Sequence, residues 1–290
     1  MFACTLFGID RQVYYRKIKR RKARQSNASK VVSMVLEIRQ TMPRIGAKKL
    51  YFLLNNELKQ LKIGRDKFIN ILRANHLLII PKRSYHITTN SHHRFRKHQN
   101  QILELQIQRP EHVWVSDITY IGKRENPCYL SLVTDAYSKR IMGFNVADNM
   151  NTQSSLIALK NAVKLRKDKS LPLIHHSDRG LQYCANEYQK LLNKNTIKCS
   201  MTQNSDPYEN AVAERINGIL KQEFDVDKFN KSLPIMKLLV KNAIEIYNQK
   251  RPHHSNYMLT PNQMHNQDKI KMRTYKTKKQ LQERSCNCLI

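Results

Sequence analysis

No stretch of the 290-residue chain holds the roughly 18 consecutive apolar residues that a membrane-crossing helix requires. The opening MFACTLFGID has no basic segment ahead of its apolar residues. That argues against a secretory leader and for the end of a helical unit. The cysteines, Cys4, Cys128, Cys184, Cys199, Cys286 and Cys288, show no paired spacing. A disulfide framework is therefore not indicated, and a reducing compartment is. Cys286 and Cys288 read as part of a tail. His86, His92, His93 and His98 cluster, yet the next cysteine, Cys128, stands alone in an apolar run. A structural zinc site uses four ligands, usually with a close Cys pair, so zinc is not expected; these histidines read as part of a basic linker near phosphates. Acid is scarce too, with 22 Asp+Glu against 52 Lys+Arg and a formal charge of +30.

The basic excess is unevenly spread. Residues 1–109 hold 24 basic and 5 acidic residues, residues 110–226 hold 15 and 13, and residues 227–290 hold 13 and 4. A nearly neutral centre lies between two basic flanks. Such flanks hold a polyanion by displacing counterions from its phosphates, whatever its sequence. A merely soluble basic protein, such as a ribosomal one, fits the excess equally well but does not explain the neutral centre.

That centre carries three acids of interest. Asp117 lies inside the β-rich run HVWVSDITYI, Asp178 ends LPLIHHSDRG, and Glu214 falls in the helical pattern AVAERINGILKQEF, with 35 residues between the last two acids. Carboxylates from a strand, a strand end and a helix can converge on a pair of divalent cations that clamps the attacking and leaving oxygens of a phosphoryl displacement. Oxygen ligands of this kind suit Mg²⁺. Strict alternation puts Val113, Val115, Asp117, Thr119 and Ile121 on one face, where an aspartate is costly to bury unless paired or bound to metal. Each acid also has a plainer reading. Glu214 lies off its helix's apolar stripe and by itself reads as solvated; Asp178 can simply open a turn at Gly180. Only jointly do they indicate a metal-dependent enzyme acting on DNA phosphodiesters.

Residues 8–24 read as a short helix followed by a basic helix or arm, and periodicity predicts helices at 30–40, 47–58 and 65–75. The last exposes Arg65, Lys67, Asn70 and Arg73, which suggests a loose helix-turn-helix variant; a generic three-helix bundle with a solvated charged face is the alternative. After a linker ending at Pro110 the period changes. Strands are expected at 113–121, 127–135, 140–147, 172–177 and 198–202, with helices at 151–167, 185–194 and 211–224. This describes an α/β fold, a mixed five-stranded sheet covered by helices. The expected modules are 1–95 (helical, DNA-binding), 96–110 (linker), 111–226 (catalytic core) and 227–290 (basic helix and tail).

VWVSDITYI, LVTDAYSKRIMGF, IHHSDRGLQY, SDPYENAVAERINGILKQEF and YNQKRPHHSNYMLTP, with GIDRQVYYR and RIGAKKLYFLL before them, cover nearly the whole chain in order. In these motifs it resembles the integrase-core (OrfB-type) transposases of bacterial insertion sequences, relatives of retroviral integrases within the ribonuclease-H-like superfamily. The resemblance implies that Asp117, Asp178 and Glu214 are the catalytic metal ligands, serving two Mg²⁺ ions with Mn²⁺ as a substitute. It implies that Lys221, seven residues after Glu214, contacts the transposon end, and that Asp135 belongs to a family motif without being a ligand. Water as nucleophile would nick the element's end and a DNA 3′-hydroxyl would join it to target, by direct transesterification. Tyr120, Tyr183 and Tyr208 would then be packing or strand-guiding residues. The implied partners are double-stranded DNA, further copies of the chain on paired ends, and an upstream-frame protein or fusion, in the bacterial cytoplasm at the nucleoid. A purely hydrolytic nuclease or resolvase, and a DNA-binding regulator with an inert core, are the alternatives.

Overall fold

The computed structural model describes residue 4 and residues 6–80, 98–102, 105–122, 127–203, 210–229 and 231–267. His86, His92 and His93, most of the turn after Ile121, Tyr208, and Cys286 and Cys288 lie outside the described residues. Two compact units are present, one of residues 1–87 with 218–230, the other of residues 88–217 with 231–290.

The first unit is all-helical. Helix α1 (Arg11–Thr41) starts where the Asp10 carboxylate accepts the Gln12 and Val13 N–H groups, satisfying donors with no partner inside the helix. The separate helices expected at 8–24 and 30–40 are one, because the intervening QSNAS contains neither Gly nor Pro to end it. The single helix expected at 47–58 is instead two, α2 (Ala47–Leu53) and α3 (Asn55–Gln60). They part at Leu54, whose ψ of 16° departs from the helix. Asn55 and Asn56 follow, and asparagine competes for backbone hydrogen bonds rather than propagating a helix. Helix α4 (Arg65–Ala74) forms as expected, with Phe68 and Leu72 buried. Val31, Val35, Ile45, Leu50, Leu58 and Phe68 are central to the unit's core. Residues 218–230 are tied in where Glu223 pairs with Lys49 at 2.8 Å and its carbonyl accepts the Arg44 N–H at 2.9 Å.

The second unit is built on a five-stranded sheet ordered β3-β2-β1-β4-β5. Strands β1 (Val113–Ile121), β2 (Cys128–Asp135) and β3 (Ile141–Ala147) run antiparallel in succession. Strands β4 (Leu173–Ser177) and β5 (Ile197–Met201) extend the sheet parallel to β1. Helix α5 (Thr152–Leu165) leads to β4; the short α6 (Leu181–Cys184) and α7 (Asn186–Lys194) lead to β5. All five expected strands are present within about two residues, a normal uncertainty of boundaries.

Both faces of β1 are covered. Trp114 and Ile118 pack with Leu156, Leu159, Tyr188 and Leu192, whereas Val113 and Val115 pack with Ala136 and Ala213. Gly143 lets α5 approach β3, since a Cβ there would stand 2.1 Å from the Ala158 carbonyl oxygen and 2.6 Å from the Ala162 nitrogen. Helix α8 (Ala211–Glu223) follows β5, and α9 (Leu233–Gln249) and α10 (Pro261–His265) come after it. The described residues from 231 to 267 group with the sheet. Asn248 is one reason: it bonds both the N–H and the carbonyl of Ile141, each at 3.0 Å.

Candidate active site

Asp117 sits at the middle of β1, opposite Leu132 of β2. On its other side β4 runs parallel, with Val113 level with Ile174 and Val115 level with His176. Continuing that register brings Asp178, one residue past the end of β4, level with Asp117. Neighbouring strands are about 4.8 Å apart, so two acids from distant parts of the sequence become near neighbours. Asp178 is held at the head of a turn, its Oδ1 accepting the Gly180 N–H at 3.0 Å. A Cβ at Gly180 would press on that oxygen, also at 3.0 Å. The turn expected from SDRG and an acid next to Asp117 are thus compatible.

Glu214 lies in the first turn of α8 and is exposed. Two asparagines fix this helix to β1. Asn210 donates to the Ser116 carbonyl at 3.1 Å, and Asn217 donates to Asp117 Oδ2 at 2.7 Å. The Ile118 N–H reaches the other Asp117 oxygen at 2.9 Å. Burial pushes the Asp117 carboxyl up to about 7, and the charges of Asp178 and, less strongly, Glu214 add to the rise. The bonds from Asn217 and Ile118 pull the other way without cancelling it. Burial likewise raises Glu214. Asp117 therefore feels the charge of both other acids, a kind of perturbation that is frequent at reactive sites.

Among the described residues, no group of three or more His, Cys, Asp or Glu side chains is close enough to hold a metal ion. The chemistry of the set nonetheless fits a hard divalent cation, because an aspartate lifted to about 7, first by burial and then by two acidic neighbours, gains from a positive charge beside it.

Behind Asp117, on the opposite face of β1, Ser116 Oγ stands 2.7 Å and Tyr188 OH 2.9 Å from the same His175 Nε2. Burial and neighbouring His176 hold His175 down at about 3, so its ring is neutral. Tyr183 packs edge-on against Tyr188 with ring centroids 5.4 Å apart, and its hydroxyl is kept protonated by burial. Lys221 is half-buried on α8. Arg65, Lys67, Asn70 and Arg73 share the exposed side of α4, Arg65 pairing with Asp66 and Arg73 with Asn70.

Asp135 has a different setting. Its Oδ2 accepts the Glu111 N–H at 2.6 Å, and its Oδ1 accepts the Ser138 N–H and hydroxyl, each at 2.7 Å. His265 Nδ1 lies 3.0 Å from Ser138 Oγ, and His265 Nε2 is at an ion-pair distance of 3.4 Å from Glu111. Asn210, Asn217 and this second cluster were not singled out by the sequence. Asn217 had one available signal, its position one helical turn beyond Glu214.

Two models of the family described as integrase core domain match residues 107–207 and 195–261. The chain is 28% identical to the insertion element IS600 uncharacterized 31 kDa protein of Shigella sonnei, over 86% of this chain and 92% of that protein. It is 34% identical to the putative transposase of insertion sequence element IS986/IS6110 from Mycobacterium tuberculosis, over 49% of this chain and 53% of that one. The chain belongs to the insertion-sequence transposases with an integrase core. This transposase spans nearly all of the IS600 protein but about half the length of the IS986/IS6110 relative. The HTLV-2 integrase catalytic core domain, solved in complex with magnesium, aligns with 55% of this chain and 98% of its own, at 22% identity and a TM-score of 0.44. The mixed five-stranded sheet with flanking helices and the all-helical N-terminal region match the ribonuclease-H-like class expected from the sequence. No helix among the described residues is long and apolar enough to cross a membrane.

Proposed function

We propose that this transposase cleaves DNA strands at the ends of its insertion sequence and joins them to target DNA by direct transesterification. Asp117, Asp178 and Glu214 serve as metal ligands. The observations that support the reading are the parallel β1–β4 register, which runs from Val113 and Ile174 to Val115 and His176 toward the two aspartates, and the Asp117 carboxyl, lifted to about 7 by burial and neighbouring acids. Two Mg²⁺ ions, or Mn²⁺ in their place, supply a lowered pKa for an attacking hydroxyl and charge stabilisation for the leaving 3′-oxygen. The chain's own residues do the positioning. Asn217 orients the Asp117 carboxylate, Asn210 anchors the start of α8, and the Gly180 N–H orients Asp178. No side-chain nucleophile is required, so Tyr120 and Tyr183 act in packing and strand guidance.

In this reading Lys221 contacts the phosphates of the element's end. Arg65, Lys67, Asn70 and Arg73 present a reading face to end DNA, with residues 1–95 as the DNA-binding region. The protein works as a homo-oligomer on paired ends, alone or with an upstream-frame partner, in the cytoplasm at the nucleoid.

The test is a Mg²⁺-dependent assay with labelled end DNA, scoring nicked and joined products separately. Asp117→Asn, Asp178→Asn and Glu214→Gln are each expected to lower both products by more than about 100-fold, beyond what outer partners of a metal site usually cost. DNA binding should persist. Near-normal joining by any variant removes that residue from the site, and nicking without joining by the unaltered protein leaves only a nuclease.

A further inference from the structure

Among the described residues, the first two-thirds of α1 contributes no side chain to a core. From Arg11 to Lys30 no residue is buried; the helix enters the core only at Val31. Those 20 residues contain nine Lys/Arg and no Asp or Glu, and seven of the nine fall between Arg16 and Arg24. Every one of the nine is exposed. Helices of this length ordinarily gain their stability from an apolar face laid on a core. This one has no such face, and it carries like charges one turn apart at Arg16/Arg20, Lys17/Arg21 and Arg20/Arg24, each pair destabilising the helix. A segment that repels itself and buries none of its side chains calls for an external counter-charge.

The distribution of charge around the helix identifies its shape. At about 100° per residue, Lys17, Arg21 and Arg24 fall on one side, Arg16, Lys19 and Lys22 fall on another about 160° away, and Arg20 lies between the two. A helix resting on a single phosphate backbone needs cations on one side only. A helix with cations on opposite sides matches a site walled by phosphates on both flanks. The major groove of B-form DNA is such a site, about 12 Å wide against the 10–12 Å diameter of a helix with its side chains. Double-stranded RNA does not offer it, because its major groove is too narrow to admit side chains.

We propose that residues 11–30 form a DNA-binding arm that lies in the major groove of double-stranded DNA, gripping phosphates on both walls without reading sequence. The arm is distinct from the α4 face, and the proposal rests on the DNA-directed reading above. Phosphates on both sides relieve the arm's self-repulsion, so the segment becomes more firmly helical on binding.

The experiment uses the full-length protein, without metal, and a 30-bp duplex lacking any element end. Two variants are compared, Lys17→Gln/Arg21→Gln/Arg24→Gln and Arg16→Gln/Lys19→Gln/Lys22→Gln; glutamine retains helix propensity, and circular dichroism and thermal melting verify the fold. Each is expected to reduce the slope of log affinity against log salt by about two to three, at about 0.9 per lost phosphate contact. Amide exchange across residues 11–30 is expected to slow when DNA is added. Loss confined to one variant means the helix lies on one backbone and overturns the groove placement. Unchanged slopes in both overturn the arm altogether, as does equal or tighter binding to duplex RNA or to anionic phospholipid vesicles. Separate Mg²⁺-dependent cleavage by the unaltered protein distinguishes the failures: unchanged slopes with cleavage intact reject the arm alone, and altered slopes without any cleavage reject the catalytic reading alone.

Discussion

Two aspartates of the same sheet show how differently one residue type can be used. Asp135 closes β2 in a pocket of donors, its two oxygens taking hydrogen bonds from Glu111 and Ser138, with His265 close behind. Asp117, one strand away in β1, has two donors and two acidic neighbours. The first environment matches the charge it encloses. The second opposes it, and opposition of that kind persists in a protein when another charge is meant to join it. Burial alone would not have separated the structural acid from the one proposed to bind metal.

The contrast can be broken most forcefully at Asp135. Asp135→Ala leaves the Glu111 N–H, the Ser138 pair and His265 without their common acceptor. The expected loss is about 3–5 kcal/mol of stability, as for other disrupted buried ion pairs, read by denaturant melts. A loss below about 1 kcal/mol would mean that the pocket does not hold the sheet together.

Asp117→Asn should act in the reverse direction on stability while abolishing activity. Its carboxyl goes from an ordinary 3.8 to about 7 on folding, so the folded state holds the extra proton between those values. Stability therefore falls as pH rises from about 4 to 7 and levels off above, by a few kcal/mol at about 1.4 per unit. Without divalent metal, the asparagine variant should be the more stable protein at pH 8 and lose that advantage near pH 4. Mg²⁺ should raise the melting temperature of the unaltered protein and leave the variant's unchanged. A variant less stable at pH 8 would show that Asp117 is at ease in its site.

A smaller effect is expected at Asn217. Asn217→Ala removes a hydrogen bond to a carboxylate, about 1.5–3 kcal/mol when the acceptor is charged. Because that bond lowers the Asp117 carboxyl, its loss should move the Asp117 titration upward, as read by carbonyl NMR. A titration that stays in place would reduce Asn217 to a packing residue.

The mildest effect concerns His265. Burial pulls its imidazolium down, but the bonds and charge of Asp135, with the bond from Glu111, outweigh it and leave the group above its usual 6.5. Its contribution to stability is complete below about pH 6.5 and is lost as pH rises through the raised value. His265→Gln should flatten that part of the stability profile and leave the fall between pH 4 and 7 from Asp117 in place. Identical profiles above pH 6.5 would remove His265 from the pocket's charge balance.

What could be read from the chain alone follows from the range of the interactions involved. Strand β1 was legible because alternation is local, and Asp117 stood out within it as a charge among apolar neighbours. The division of α2 from α3 at Leu54 and the continuity of α1 through Gln25–Ser29 were not, since both depend on small propensity differences that tertiary packing decides. The Asp135 pocket escaped notice for another reason. Its members come from Glu111, the β2 end and α10, and no spacing in the sequence links positions so far apart. Asn217 had only its position one turn from Glu214 to signal it, and its partner on β1 is 100 residues away in the sequence.

The parallel register of β1 with β4 has a further consequence for how such a site can change over time. Sixty residues lie between Asp117 and Asp178, including three whole strands and a helix, yet the register that leads to both acids is set by Val113 facing Ile174 and Val115 facing His176. Loops between the strands can lengthen or shorten freely, as surface connections do at little cost. One residue added inside β1 or β4 would turn an acid to the opposite face. The address of the site is thus written in strand phase, which makes it tolerant of large insertions in the turns and intolerant of the smallest ones within the ladder.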